Sequence, residues 1–166
     1  MSLDSPFLLG VISDTHGHRQ NTMSAVRLLE SLKVQAVLHC GDIGSTDIPA
    51  MLESWPTHYV FGNVDHDAAE LRAAIRAARH TCHDRFGAIE LVGKKIALLH
   101  SDDQRLFDQT IRSGKYDLVC YGHTHQAEQH LEGNTLVLNP GAVYRAAPHS
   151  IAVVELPQVR ATIVPF

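Results

Sequence analysis

Five times along this chain a short apolar run ends in a side chain able to hold a metal ion, and this recurring pattern limits the fold more than any other feature. The first run, Leu8-Leu9-Gly10-Val11-Ile12-Ser13, stops at Asp14-Thr15-His16-Gly17-His18. It is long enough for one buried strand. Asp14 and His16, two apart on an extended segment, point to the same side because strand side chains alternate, so they can grip one cation. Further on, Ala36-Val37-Leu38-His39-Cys40 runs into Gly41-Asp42, and His58-Tyr59-Val60-Phe61 into Gly62-Asn63-Val64-Asp65. Residues 95–99 then run into His100, and residues 116–121 into Gly122-His123-Thr124-His125. In open α/β sheets ligands bind beyond the carboxyl ends of the strands, so five separated segments can converge on one place.

The intervals between these runs carry helices. Residues 21–32 place Ala25, Val26, Leu29 and Leu32 on one face, with Asn21 as the cap. The spacing of the first two strands suits a right-handed βαβ unit, hence a parallel pair. Residues 47–54 read as a short helix stopped by Pro56, and 67–79 as a helix turning Leu71, Ala74, Ile75 and Ala78 inward. The second half changes style. Residues 88–92 and 95–99 flank Gly93-Lys94 as a hairpin, and 104–113 form a helix. Residues 129–131, 135–138, 151–155 and 159–164 read as short antiparallel strands. Parallel units first and antiparallel strands later predict one layered α/β domain over residues 1–166, with helices outside a mixed sheet or two packed sheets.

Composition narrows the function. The formal net charge of −4 leaves no broad basic face, so no extended nucleic-acid surface is expected. No apolar run approaches the roughly 18–20 residues of a membrane span, and Met1-Ser2-Leu3-Asp4-Ser5-Pro6 lacks the basic start and apolar core of a signal peptide. Three cysteines, Cys40, Cys82 and Cys120, argue against a disulfide framework and for a reducing compartment, the cytoplasm. Nothing in the composition speaks to oligomeric state.

The five segments together offer two carboxylates (Asp14, Asp42), one amide oxygen (Asn63) and four imidazoles (His16, His100, His123, His125). That exceeds what one tetrahedral ion takes, where three or four protein groups suffice. It suits two ions about 3.5–4 Å apart sharing a bridging carboxylate. Oxygen and nitrogen donors without thiolate favour two divalent ions of the Mn, Fe, Zn or Co type over a structural zinc site; Mn2+ is the first expectation, with Ni2+ also compatible.

D-x-H, G-D, G-N-x-D, a lone histidine after a strand, and G-H-T-H, in this order, resemble the calcineurin-like metallophosphoesterases, most closely their small single-domain bacterial and archaeal phosphodiesterases. The resemblance spans Leu9 to about Tyr144. It implies an α/β fold, a four-layer αββα sandwich with two mixed sheets and a dinuclear site between loops at one sheet edge. It also implies that Asp14, His16, Asp42 and His125 hold the first metal, and that Asp42 as bridge, Asn63, His100 and His123 hold the second. Asp42 and Asn63 are then the catalytic centre of a phosphodiester hydrolase whose nucleophile is a metal-bridging hydroxide, acting on a small phosphate ester. Two positions depart from the family. Val64 stands where relatives with G-N-H-D place an imidazole beside the leaving group, and Ser101-Asp102-Asp103 follows His100 where relatives often have Gly-His. The family's Asn-Pro-Gly-Ser appears as Asn139-Pro140-Gly141-Ala142.

The remaining candidates are assigned more ordinary roles. Asp65 braces its loop; His18 and His66 lie on the rim; Asn139 and Gly141 shape a turn; Cys40 is a small buried strand residue. His39, His58, His80, His83, His130 and His149 are structural or solvated. Arg145 is either a substrate-phosphate clamp or a surface arginine. The alternative function is a catalytically weak member of the fold serving as a protein-interaction scaffold. A complete ligand set argues for the enzyme, and a large exposed apolar patch would argue for the scaffold.

Overall fold

In the computed structural model, which describes residues 5–166, alternation along the strands sorts the apolar side chains into three separate cores. The reading of residues 1–6 as free of a signal peptide falls mostly on residues outside that range. Two sheets carry these cores. One has the order β11 (Arg160–Pro165), β10 (Ser150–Leu156), β1 (Phe7–Ile12), β2 (Ala36–His39), β3 (Thr57–Tyr59), β4 (Thr81–Cys82). The other runs β5 (Phe86–Leu91), β6 (Lys94–Leu99), β7 (Leu118–Cys120), β9 (Thr135–Asn139), β8 (Glu128–Glu132).

Leu9, Val11, Leu38, Ile96, Leu98, Leu118 and Leu138 meet between the sheets. Their alternates Ile12 and Val37 face outward onto Leu29 of α1 (Arg19–Ser31), Ile48 of α2 (Ile48–Met51) and Ile75 of α3 (Ala68–Ala77). On the far side Leu99, Val119 and Val137 pack on Ile111 of α4 (Gln104–Arg112). Helix, sheet, sheet, helix is the αββα sandwich, with both sheets mixed. Each fully buried leucine or isoleucine in these layers is worth about 1.5–3 kcal/mol, so the three cores together hold the two sheet edges in register.

Parallel pairing of β1 with β2 and β2 with β3 matches the βαβ reading. Among the later strands the expected antiparallel pairs form, β8 with β9 and β10 with β1 and β11, while the middle of the second sheet differs in direction from its edges. β6, β7 and β9 run parallel to one another, and only β5 and β8 at the edges are antiparallel in that sheet. Connection length explains the difference: α4 links β6 to β7, and the β8 hairpin arm carries the chain back to start β9 in the same direction as β7. The hairpin turn is Val92-Gly93 rather than Gly93-Lys94, with φ of 52° and 72° at the two positions, the left-handed pair a two-residue hairpin needs. α1 starts at Arg19, capped by His18, whose Nδ1 accepts the Asn21 N–H at 3.3 Å. Asn21 is not the cap because its amide donates to the Val143 carbonyl at 2.9 Å, tying the helix to the chain near the site.

Candidate metal centre

Parallel strands from both sheets end at the same edge, and the loops beyond them meet there. β1, β2 and β3 deliver Asp14, His16, Asp42 and Asn63; β6 and β7 deliver His100, His123 and His125. Asp14, His16, Asp42 and His125 each place one ligand atom within 4.8 Å of all the others. On the opposite side Asn63 Oδ1 lies 3.0 Å from His100 Nε2 and 3.1 Å from His123 Nδ1. Asp42 joins the two groups, with Oδ2 3.2 Å from His100 Nε2 and 3.6 Å from His16 Nε2.

Hydrogen bonding fixes what these atoms carry. His125 Nδ1 faces the Arg145 carbonyl at 3.2 Å, and a carbonyl only accepts, so the proton of the neutral ring is on Nδ1. Nε2 then presents a lone pair 3.0 Å from Asp14 Oδ1 and 3.4 Å from His16 Nε2. His100 repeats the arrangement: Nδ1–H donates to the Cys40 carbonyl at 2.8 Å, leaving Nε2 aimed at Asn63 and Asp42. Asp14 Oδ1 is buried without a hydrogen-bond donor among the described residues. Converging electron-rich atoms, one of them an orphaned buried carboxylate oxygen, fit divalent cations, and imidazoles braced by backbone carbonyls are the usual support of metal-ligating histidine.

The charges respond in the same sense. Burial pushes the Asp14 carboxyl up, but the His16 imidazole and the Ser13 hydroxyl, 2.5 Å from Oδ2, outweigh it and hold the pKa below the ordinary carboxylate value. Burial likewise raises Asp42, and the His100 contact and the Val64 N–H overturn that, leaving it lowered. For His100 burial favours the neutral ring, yet the hydrogen bond to Asp42 and the Asp14 charge win, so its pKa rises. A proton drawn to a ring among anionic carboxylates is what a bound cation would replace.

Backbone geometry makes the convergence possible. Asp14, His16, Asp42, His123 and His125 all have positive φ, at 56°, 46°, 54°, 74° and 59°. Left-handed conformations cost a non-glycine residue roughly 1–2 kcal/mol each. They persist here because backbone bonds such as His16 N–H to Asp42 O at 2.9 Å and Asp14 N–H to Gly41 O at 3.0 Å overdetermine the loops. Two glycines allow the close approach: a Cβ at Gly62 would lie 2.0 Å from Asp42 Oδ1, and one at Gly122 2.0 Å from Ser13 Oγ.

Residues 7–158 match the model of the calcineurin-like phosphoesterase superfamily domain. The chain belongs to that superfamily. A phosphodiesterase of Methanocaldococcus jannaschii is 31% identical over 136 residues, 80% of this chain and 82% of the relative. A solved archaeal phosphodiesterase superposes with a TM-score of 0.89 at 26% identity, covering 96% of this chain and all of that one, 100%. Vacuolar protein sorting 29 of Cryptosporidium parvum shares the fold, with a TM-score of 0.65 at 19% identity over 98% of each chain. The protein is accordingly a phosphoesterase of the metal-dependent, phosphodiesterase type, built around a cluster suited to metal binding.

All seven residues singled out in the phosphoesterase sequence meet at one edge, but not by strand alternation. β1 ends at Ile12, and Asp14 and His16 are brought together by successive left-handed turns. Asp65 braces its loop, accepting from the N–H groups of Ile43, Gly44 and Gly62 at 2.8–3.1 Å. Asn139 accepts the Gly141 N–H and donates to the Gly122 carbonyl and Thr124, so the turn it shapes also steadies the G-H-T-H loop. His58 pairs with His83, His80 with the Pro49 carbonyl, His130 with Glu128 and His149 with Asn21, all away from the centre.

What the sequence left unmarked is the support behind the ligands: Ser13, Thr15, and the backbone of Cys40 and Arg145. Fully buried His39 belongs to this support. Its Nε2–H donates to Thr15 Oγ1 at 3.0 Å, since that hydroxyl spends its own proton on the Ile43 carbonyl, and its Nδ1 accepts the Gly41 N–H at 3.2 Å. Burial drives its pKa from 6.5 down to about 3, against the pull of Asp14 and Asp42. The unfolded chain therefore binds a proton at His39 that the folded chain refuses. Stability from this source is intact above the unfolded pKa of about 6.5 and is lost as the pH falls toward 3, by about 1.4 kcal/mol per pH unit. His39→Gln, which can keep both bonds without titrating, should remove one proton from the acid slope of urea midpoints measured between pH 7 and 4. An unchanged slope would show that His39 is not the group responsible.

Proposed function

We propose that this chain, as one domain, is a dinuclear-metal phosphodiesterase: Asp14, His16, Asp42 and His125 hold one divalent ion, and Asp42, Asn63, His100 and His123 the other. The observation that carries the reading is the facing of lone pairs, His125 Nε2 on Asp14 Oδ1 at 3.0 Å and His100 Nε2 on Asp42 Oδ2 at 3.2 Å, which a cation between them makes favourable with both rings neutral. Held by these residues, two divalent cations would lower the pKa of water toward neutrality to give a hydroxide nucleophile and would offset the charge of the phosphoryl oxygens. The chain's own part is positioning. Asp42 sits between the two ligand groups, with Oδ1 fixed by the Val64 N–H and Oδ2 directed at both His100 and His16, so it would contribute to holding either ion. Asn63 turns its amide oxygen toward both His100 and His123. Backbone carbonyls of Cys40 and Arg145 hold two rings in the tautomer that faces the centre.

The substrate class is a small phosphate ester, and Mn2+ is the first metal to try, before Fe, Zn, Ni and Co. The three free thiols, two of them buried, support a reducing, cytoplasmic setting. No helix among the described residues is long and apolar enough to cross a membrane. An interaction scaffold would want a contiguous apolar face, whereas the exposed large apolar side chains Met23, Val92 and Leu131 sit on α1, in the β5–β6 turn and on β8.

The test is bis(p-nitrophenyl) phosphate hydrolysis by protein stripped with chelator and reloaded with each metal, alongside metal titration of single ligand variants. Activity should vanish on stripping and return with metal. His16→Ala and His125→Ala should chiefly weaken one binding step, His100→Ala and His123→Ala the other. Four identical titrations would contradict the assignment of ligands to ions.

A further inference from the structure

The metal centre has a rim whose charge is uneven, and the unevenness points to Arg145. Residues 144 and 145 are locked to the centre by their backbone: Tyr144 N–H donates to the Asp14 carbonyl at 3.1 Å, and the Arg145 carbonyl, at a positive φ of 61°, accepts from His125 Nδ1. The side chains are therefore launched from a fixed base beside the ligands of one ion. Tyr144 lies flat on the His18 ring, 4.4 Å between centroids at 10°, and 6.3 Å from the His16 ring. The Arg145 guanidinium rests 5.6 Å from the Tyr144 centroid.

That guanidinium is exposed, and among the described residues it forms no ion pair and donates no hydrogen bond. Several arginines away from the centre are likewise without an ion pair among the described residues, but the arginine on the His100 side is not: Arg85 meets Asp102 at 2.5 Å, and farther out Arg72 meets Asp84 and Arg19 meets Asp47. Beyond Val64 the rim turns acidic, with Asp67 and Glu70 lining a cleft of about 230 Å³ that also contains Asp65. A ligand with negative charge outside the phosphoryl group is thus repelled at the Val64 side, met by a neutral pair at the His100 side, and attracted at the His125 side. The cation–π contact with Tyr144 restrains the five-donor fork, whose geometry suits phosphate oxygens.

We infer that Arg145, held by Tyr144, forms an anion subsite on the His125 side that takes a second phosphate group of the substrate, beyond the scissile one. This rests on the phosphodiesterase reading and adds to it a substrate class: phosphodiesters whose retained, non-leaving part carries a phosphate. Tyr144 is a positioning residue here, acting through Arg145.

Two substrates with the same leaving group isolate the subsite: thymidine 5′-(p-nitrophenyl phosphate) with and without a 3′-phosphate, both assayed on the Mn2+-loaded protein. The wild type should favour the 3′-phosphorylated ester by about tenfold in kcat/KM, mainly through KM, the scale of one charge-assisted contact. Arg145→Ala should bring the ratio near one and Arg145→Lys should keep part of it. Tyr144→Ala should lower it and Tyr144→Phe should not. The ratio is taken within each variant, so damage to the centre as a whole cancels. A wild type without the preference, or a preference that survives Arg145→Ala, overturns the subsite while leaving the phosphodiesterase reading in place. No release of p-nitrophenol from either ester at saturating Mn2+ contradicts that reading itself.

Discussion

Asp42→Asn should empty or scramble both cation sites and lower phosphodiester hydrolysis by roughly 10³-fold or more, the scale reached when one key electrostatic group of an active site is removed. The expectation follows from position. Asp42 reaches His100 Nε2 at 3.2 Å through the same Oδ2 that lies 3.6 Å from His16 Nε2, so one oxygen serves both ligand groups. Asparagine keeps the shape and the Val64 contact at Oδ1, but removes the negative charge that two neighbouring cations need between them. Metal analysis of the purified variant checks this, read beside kcat/KM on an aryl diester. Full occupancy of two ions in the variant would refute Asp42 as the bridge.

The second large effect concerns the leaving group. A departing alkoxide needs a proton, and help from a positioned acid is worth about 10²–10⁴-fold. Val64 supplies none. Its N–H is bound to Asp42 Oδ1 at 3.1 Å, so its half-buried side chain starts beside the bridge, where an imidazole could reach the substrate. Among the described residues, neither neighbouring histidine hydrogen-bonds to the seven site residues, so neither is held at the leaving group as the missing imidazole would be. His18 uses Nδ1 to cap α1 and stacks on Tyr144, and His66 is exposed with no side-chain partner among the described residues. The rate should therefore depend steeply on leaving-group pKa, with aryl diesters cleaved readily and alkyl diesters slower by that factor. Val64→His should help alkyl substrates more than aryl ones. The comparison is kcat/KM for both classes at saturating Mn2+; a flat leaving-group dependence in a chemistry-limited step would sink the idea.

How these residues come together was only partly legible beforehand. Apolar runs ending in ligands located β1, β2, β3, β6 and β7 because a buried strand must be apolar and its carboxyl end is where an α/β sheet binds ligands. The local path was not legible. Alternation suggests an extended Asp14–His16, yet both are left-handed, held by bonds to Asp42 and Gly41 from another loop. Such conformations come from tertiary contacts and leave no periodicity in the sequence. The same holds for β4, a two-residue strand at Thr81–Cys82 that exists only by pairing with β3. The antiparallel pairs β8–β9 and β10–β11 were legible, whereas the direction of β7 was not, because at three residues it is too short for alternation to distinguish a buried parallel strand from an antiparallel one. The bracing of His100 and His125 by carbonyls of Cys40 and Arg145 was invisible because every residue has a carbonyl, and only the fold selects which one is used.

The claim at the centre of this account is that one carboxylate holds two ions close together. Electron paramagnetic resonance of the wild-type protein titrated with Mn2+ addresses it directly. Ions about 3.5–4 Å apart across a shared ligand are exchange-coupled. A shared carboxylate requires binding to saturate at two Mn2+ per chain and the second equivalent to convert the isolated-ion spectrum into that of a coupled pair. Saturation at one ion, or two ions that keep separate uncoupled signals, would contradict it.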